Sequence, residues 1–154
     1  VALTVALASE MLSLAGVSAD PAAVLASGQA YETWCAMISA QGGDPSAALP
    51  SPGHVHTVVA PSSGVVSRLD ARAVGLAAWR LGAGRARKED PVQAAAGVVC
   101  LAKPGESVVE GAPLFELRTD TPGAVPGALA VLADAVSISD SAPAPTPLVL
   151  ETIR

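Results

Sequence analysis

The sequence predicts an α+β protein in which a short helical segment precedes a strand-containing α/β domain. Three observations carry that prediction. Residues 1–43 place apolar groups at helical spacing, punctuated by glycine at 16, 28 and 42–43. From His54 the apolar period changes to that of strands. A single amphipathic stretch at 71–81 then lies between strand-like pieces, so the second part mixes helix with sheet.

The elements follow in order. Leu3, Leu7, Met11 and Leu14 trace one face of a helix over 2–15, which Gly16 ends. Asp20-Pro21 reads as an N-cap followed by proline at the first helical position. That second helix runs to about Ser27, with Gly28 as its stop. A third helix covers about Gln29 to Gln41, with Ala30, Trp34, Met37, Ile38 and Gln41 on its face. No capping residue precedes the first apolar repeat, so the chain reads as starting inside a helix. Residues 1–43 are therefore expected to be the last helices of a truncated helical domain. Residues 44–53, rich in Pro, Ser and Gly, read as a linker, and 54–154 as the α/β domain.

Within 54–154, Val55, Thr57, Val59 and then Val65, Val66 and Leu69 are strand-like, separated by a turn at Pro61–Gly64. Asp70 is placed to cap a helix from Ala71 to Leu81, with Val74, Ala77, Ala78 and Leu81 on its apolar face. Short strands are expected at Val98–Ala102, Val108-Val109 and Leu114–Leu117, a helix at Val125–Ala135, and strands at Val136–Ile138 and Leu148–Ile153.

Composition narrows the function classes. Hydrophobic residues make up 51% of the chain but aromatics only 3%, so the core must be built from Ala, Val and Leu. The formal net charge of −5, with basic residues scattered except at 85–88, argues against a nucleic-acid surface. The apolar N-terminus is too short to span a membrane and lacks a basic leader. Two cysteines, Cys35 and Cys100, sit in apolar segments and read as buried thiols, in keeping with a cytoplasmic protein.

The most chemically loaded segment is 82–91. Gly82 and Gly84 free the backbone, and Arg85, Arg87 and Lys88 concentrate positive charge suited to an anion such as phosphate. The ending of a P-loop is absent, and Arg87 occupies the third glycine position of a dinucleotide fingerprint. The competing reading is a solvated loop in which Glu89 and Asp90 pair locally with the cations. His54 and His56 share a strand face, but two imidazoles without further ligands read as ordinary histidines rather than a metal site. Ser62-Ser63 reads as turn chemistry, not a nucleophile elbow. Glu106, Glu110 and Glu116 do not form a pair, and Trp34 and Trp79 read as core or interface residues. No catalytic residue, metal ligand or cofactor motif is identified.

Taken together, the segments Val58–Val66, Leu69–Gly75, Gly82–Pro91 and Lys103–Leu117, in that order, resemble the C-terminal domain of the pyrimidine-nucleoside phosphorylases, the thymidine phosphorylase family. Leu3–Gly16, containing Ala-Ser-Glu-Met-Leu, is similar to a late helix of that family's α domain. Met37–Asp44 is similar to the segment leading out of it, and Pro147–Arg154 to the closing strand. The resemblance implies an α/β-hammerhead, barrel-sandwich-like fold for the C-terminal domain. It implies phosphorolysis of a pyrimidine nucleoside to free base and (deoxy)ribose 1-phosphate, with phosphate as co-substrate and no cofactor. It also implies a homodimer formed through the α domain. The family's phosphate- and base-binding motifs belong to sequence upstream of Val1, so this chain is expected to supply a cleft-covering domain and to be inactive alone. The loop at 82–91 would lie near that cleft. The alternative is a biotinyl- or lipoyl-like carrier, or a non-catalytic module. Ala60–Val66 and Pro104–Gly111 resemble halves of such carriers, but the lysine-centred tripeptide they need is missing.

Overall fold

A computed structural model describes residues 1–153 and divides the chain into two compact units. One comprises Val1–Ala48 together with the tail from Thr146; the other is Leu49–Pro145.

The helical unit holds α1 (Ala2–Leu14), α2 (Pro21–Ala26) and α3 (Gln29–Ala40). The Asp20 carboxylate accepts the Ala22 amide at 2.9 Å, and Pro21 opens α2. The glycines that end each helix, Gly16, Gly28 and Gly42, all take positive φ. The inward face of α1 differs from the expected one. Val5, Ala8 and Leu12 line an apolar recess with Pro21 and Val24 of α2, whereas Leu3, Leu7, Met11 and Leu14 are exposed. The helix is apolar on nearly every side, so its spacing fits more than one face. On α3, Ala30 and Ile38 are half-buried as expected, but Trp34 and Met37 are exposed. Trp34 stacks on Tyr31, with ring centroids 5.7 Å apart.

The α/β unit contains two three-stranded antiparallel sheets. β1 (His54–Val59), β2 (Gly64–Leu69), β3 (Gly97–Cys100), β4 (Ser107–Val108), β5 (Pro113–Thr119) and β6 (Val136–Ser139) are ordered β1-β5-β3 and β4-β2-β6. The turn at Pro61–Gly64 therefore carries the chain from one sheet to the other. Between the strands lie α4 (Ala71–Ala78), its π-helical extension Trp79–Ala83, a 3₁₀ turn at Pro122–Ala124 and α5 (Val125–Leu132).

Alternation on β5 buries Phe115, Leu117 and Thr119 on the face where α4, its extension and α5 supply Ala77, Leu81, Ala128 and Leu132. Asp70 caps α4 by accepting the Ala73 amide at 3.0 Å, and Arg68 Nη2 donates to its other oxygen at 2.7 Å. The Ala73 hydrogen bond, aided by Arg68, holds the Asp70 carboxyl below its ordinary range. A depressed native pKa means the cap's contribution is present above the unfolded carboxylate range and is lost as pH falls.

The strand expected at Leu148–Ile153 does not form. Those residues carry no regular structure, and Leu148, Leu150 and Ile153 are exposed. Pro143, Pro145 and Pro147 precede them without amide donors, and no strand pairs with them among the described residues. Arg154, which ends the Pro147–Arg154 segment likened to the family's closing strand, lies outside the described residues.

Candidate functional site

The site begins where α4 ends. Buried Ala77 and Leu81 fix the helix to the core, and Arg80 Nη1 donates to the Gly127 carbonyl at 3.2 Å. Gly82 then turns the chain with φ +107°, a conformation that disfavours any residue with a Cβ. A Cβ there would also meet the Gln93 side-chain carbon at 2.7 Å. Gly84 is extended, but the Trp79 ring lies so close that a Cβ would stand 2.7 Å from its Cδ1. Half-exposed Trp79 therefore packs on the loop's base and is not a core residue.

The Gln93 amide donates to the Gly82 carbonyl at 2.9 Å. This brings the ends of the segment together, as in an Ω-loop. Gly82, Gly84, Arg85, Arg87 and Lys88 consequently sit on one loop, with the three cations exposed. Two of them are engaged locally. Arg85 Nη1 donates to the Lys88 carbonyl at 3.1 Å. Arg87 reaches Asp90 through its amide at 2.9 Å and through its guanidinium at 3.3 Å. These are weak, solvent-screened contacts, which a stronger anion can displace.

The residues that hold the loop were not legible as site residues. Gln93 Oε1 accepts the Asp120 amide at 2.7 Å, and its Nε2 donates to Thr121 Oγ1 at 2.9 Å. Buried Thr119 donates its hydroxyl to the Leu81 carbonyl at 2.7 Å and accepts the Thr121 amide at 3.0 Å. The one available signal was an amide side chain two residues after Pro91, in a stretch with no periodicity.

The remaining candidates stay apart from this loop. His54 and His56 do share a half-buried face of β1, in register with Thr119 and Leu117. Among the described residues, no three His, Cys, Asp or Glu side chains gather as metal ligands. Ser63 Oγ accepts the Glu110 amide at 2.9 Å, joining two turns. Glu116 is paired with Arg118 at 2.7 Å. Cys35 and Cys100 are free thiols, half-buried rather than fully buried. An open recess of about 260 Å³ between β1, β5 and α5 is lined by Val58, Leu114, Phe115, Leu129 and Leu132, without groups to orient a polar substrate. No helix among the described residues is long and apolar enough to cross a membrane.

Comparison with known proteins gives the same assignment from two directions. Residues 65–139 match the family described as the pyrimidine nucleoside phosphorylase C-terminal domain. A thymidine phosphorylase of Mycobacterium tuberculosis is 49% identical over 99% of this chain, which covers 36% of that relative. A thymidine phosphorylase of Burkholderia orbicola is 38% identical over 73% of the chain, covering 28% of its own length. The chain thus spans about a third of the length of the curated relatives it matches. Strands β3 to β6, α4, the charged loop and α5 fall inside the matched residues, and with that match and the 49% identity along the chain it belongs to the pyrimidine-nucleoside phosphorylase family, whose C-terminal domain it carries.

Proposed function

We propose that this chain is the C-terminal part of a cytoplasmic thymidine phosphorylase and supplies the domain that covers the substrate cleft. The observation that carries the reading is 49% identity to a thymidine phosphorylase along essentially the whole chain. In the proposed reaction, a phosphate oxygen bonds to the anomeric carbon of a pyrimidine nucleoside. The glycosidic C–N bond breaks with its electrons passing to the base, which takes up a proton. Phosphate and nucleoside must be brought into line, so closure of one domain on another serves the chemistry. Residues 82–91 are the segment suited to meet the phosphate or the opposite domain on closure, because their cations are exposed and only locally engaged. Exposed Leu3, Leu7 and Met11 on α1 support a homodimer formed through the helical domain.

The test is Arg85→Ala and Arg87→Ala in the full-length protein. A charged hydrogen bond made only on closure is worth about 1.5–3 kcal/mol. Each variant that loses such a bond should therefore drop kcat/KM about tenfold or more, with an unchanged melting temperature. Wild-type kcat/KM in both variants, at normal stability, removes the loop from the mechanism.

A further inference from the structure

We propose that Gln93 is the positioning residue of the 82–91 loop, setting where Arg85 and Arg87 are presented. The proposal rests on the reading that the loop serves phosphorolysis. Gln93 is half-buried at the stem and tied in three directions. Its backbone amide closes the loop onto Gly82, its Oε1 accepts the Asp120 amide at the end of β5, and its Nε2 donates to Thr121. The side chain also fills the space beside Gly82 that a Cβ would occupy. Beneath it, the Thr119 hydroxyl has one proton, which goes to the Leu81 carbonyl at 2.7 Å rather than to Gln93 Oε1 at 3.2 Å. Thr119 thus ties the last turn before Gly82 to β5, while Gln93 ties the returning segment to Asp120 and Thr121 just beyond β5. Both stems of the loop are fixed to one end of one core strand. Leucine at 93 would fill similar space but leave the Asp120 amide without its acceptor. Glutamate would keep that acceptor, and the Thr121 hydroxyl can turn to donate to it.

The experiment uses the full-length protein with Gln93→Leu, Gln93→Glu and Thr119→Val, each also placed in an Arg85→Ala/Arg87→Ala background. Tryptic cleavage after Arg85, Arg87 and Lys88, followed by mass spectrometry, reports the loop's tether. Gln93→Leu and Thr119→Val should each speed that cleavage severalfold, with Gln93→Glu near wild type. In kinetics, Gln93→Leu should lower kcat/KM about tenfold in the wild-type background. It should lower it little further once both arginines are gone, because a positioning residue acts through the groups it positions. A merely structural role gives equal losses in both backgrounds and overturns the proposal. Unchanged cleavage in both Gln93→Leu and Thr119→Val overturns it as well. If the double arginine variant alone retains wild-type kcat/KM, the reading of the loop falls, and cleavage then decides whether Gln93 is its tether.

Discussion

Phe115→Ala is expected to destabilise the α/β unit by about 3–5 kcal/mol. Phe115 is the chain's only phenylalanine and is 1% exposed. It sits on the central strand of its sheet, among Leu114, Leu117, Leu81 and Leu132. The surrounding side chains are small and branched, so none can swing in to replace an aromatic ring. The open recess already touches Phe115, and truncation would enlarge it rather than let it collapse. Against a typical stability of about 5–15 kcal/mol, that loss brings the unit close to unfolding. Urea titration of the chain checks it, with Phe115→Leu as the milder control at about 1.5 kcal/mol or less. A loss below about 1 kcal/mol for Phe115→Ala would mean the core is not organised around this residue.

The second large effect is an absence of activity. Incubated with phosphate and thymidine or uridine, the chain by itself should release no base above background, while the full-length protein turns over. Rate enhancement in a two-substrate displacement comes largely from holding both reactants in line and stabilising the developing charge. The described residues include two recesses lined mainly by apolar side chains and an exposed cationic loop. Neither recess presents polar groups that would orient a nucleoside. Protein-dependent release of base by the purified chain would contradict the account and place substrate-binding groups within these residues.

Where local chemistry decides structure, the sequence was a good guide. Asp20 and Asp70 cap the helices they precede, since a short acceptor side chain satisfies free amides at a helix start. Gly16, Gly28 and Gly42 stop helices because the stop needs positive φ. Alternation located the strands, but it does not name a strand's partner. The split into two sheets, with β1 beside β5 and β2 beside β6, arises from contacts far apart in sequence. On α1, apolar groups all round gave no unique inward face. At 148–153 the β-branched pattern follows a run of prolines, and no strand pairs with it among the described residues. The charged loop was visible from Gly82, Gly84, Arg85, Arg87 and Lys88. Its anchors were not, because Gln93, Thr119 and Thr121 acquire meaning only when the end of β5 meets the end of α4.

In the proposed function, residues 82–91 order over a substrate cleft when the domains close. Hydrogen–deuterium exchange of the full-length protein tests it most directly, comparing peptides covering 82–93 with and without the unreactive pair of phosphate and thymine. Slower exchange is expected across 82–91 only when both ligands are present, with the Gln93 stem already protected in their absence. Unchanged exchange across the loop at saturating ligand would contradict it and leave the domain a passive cover.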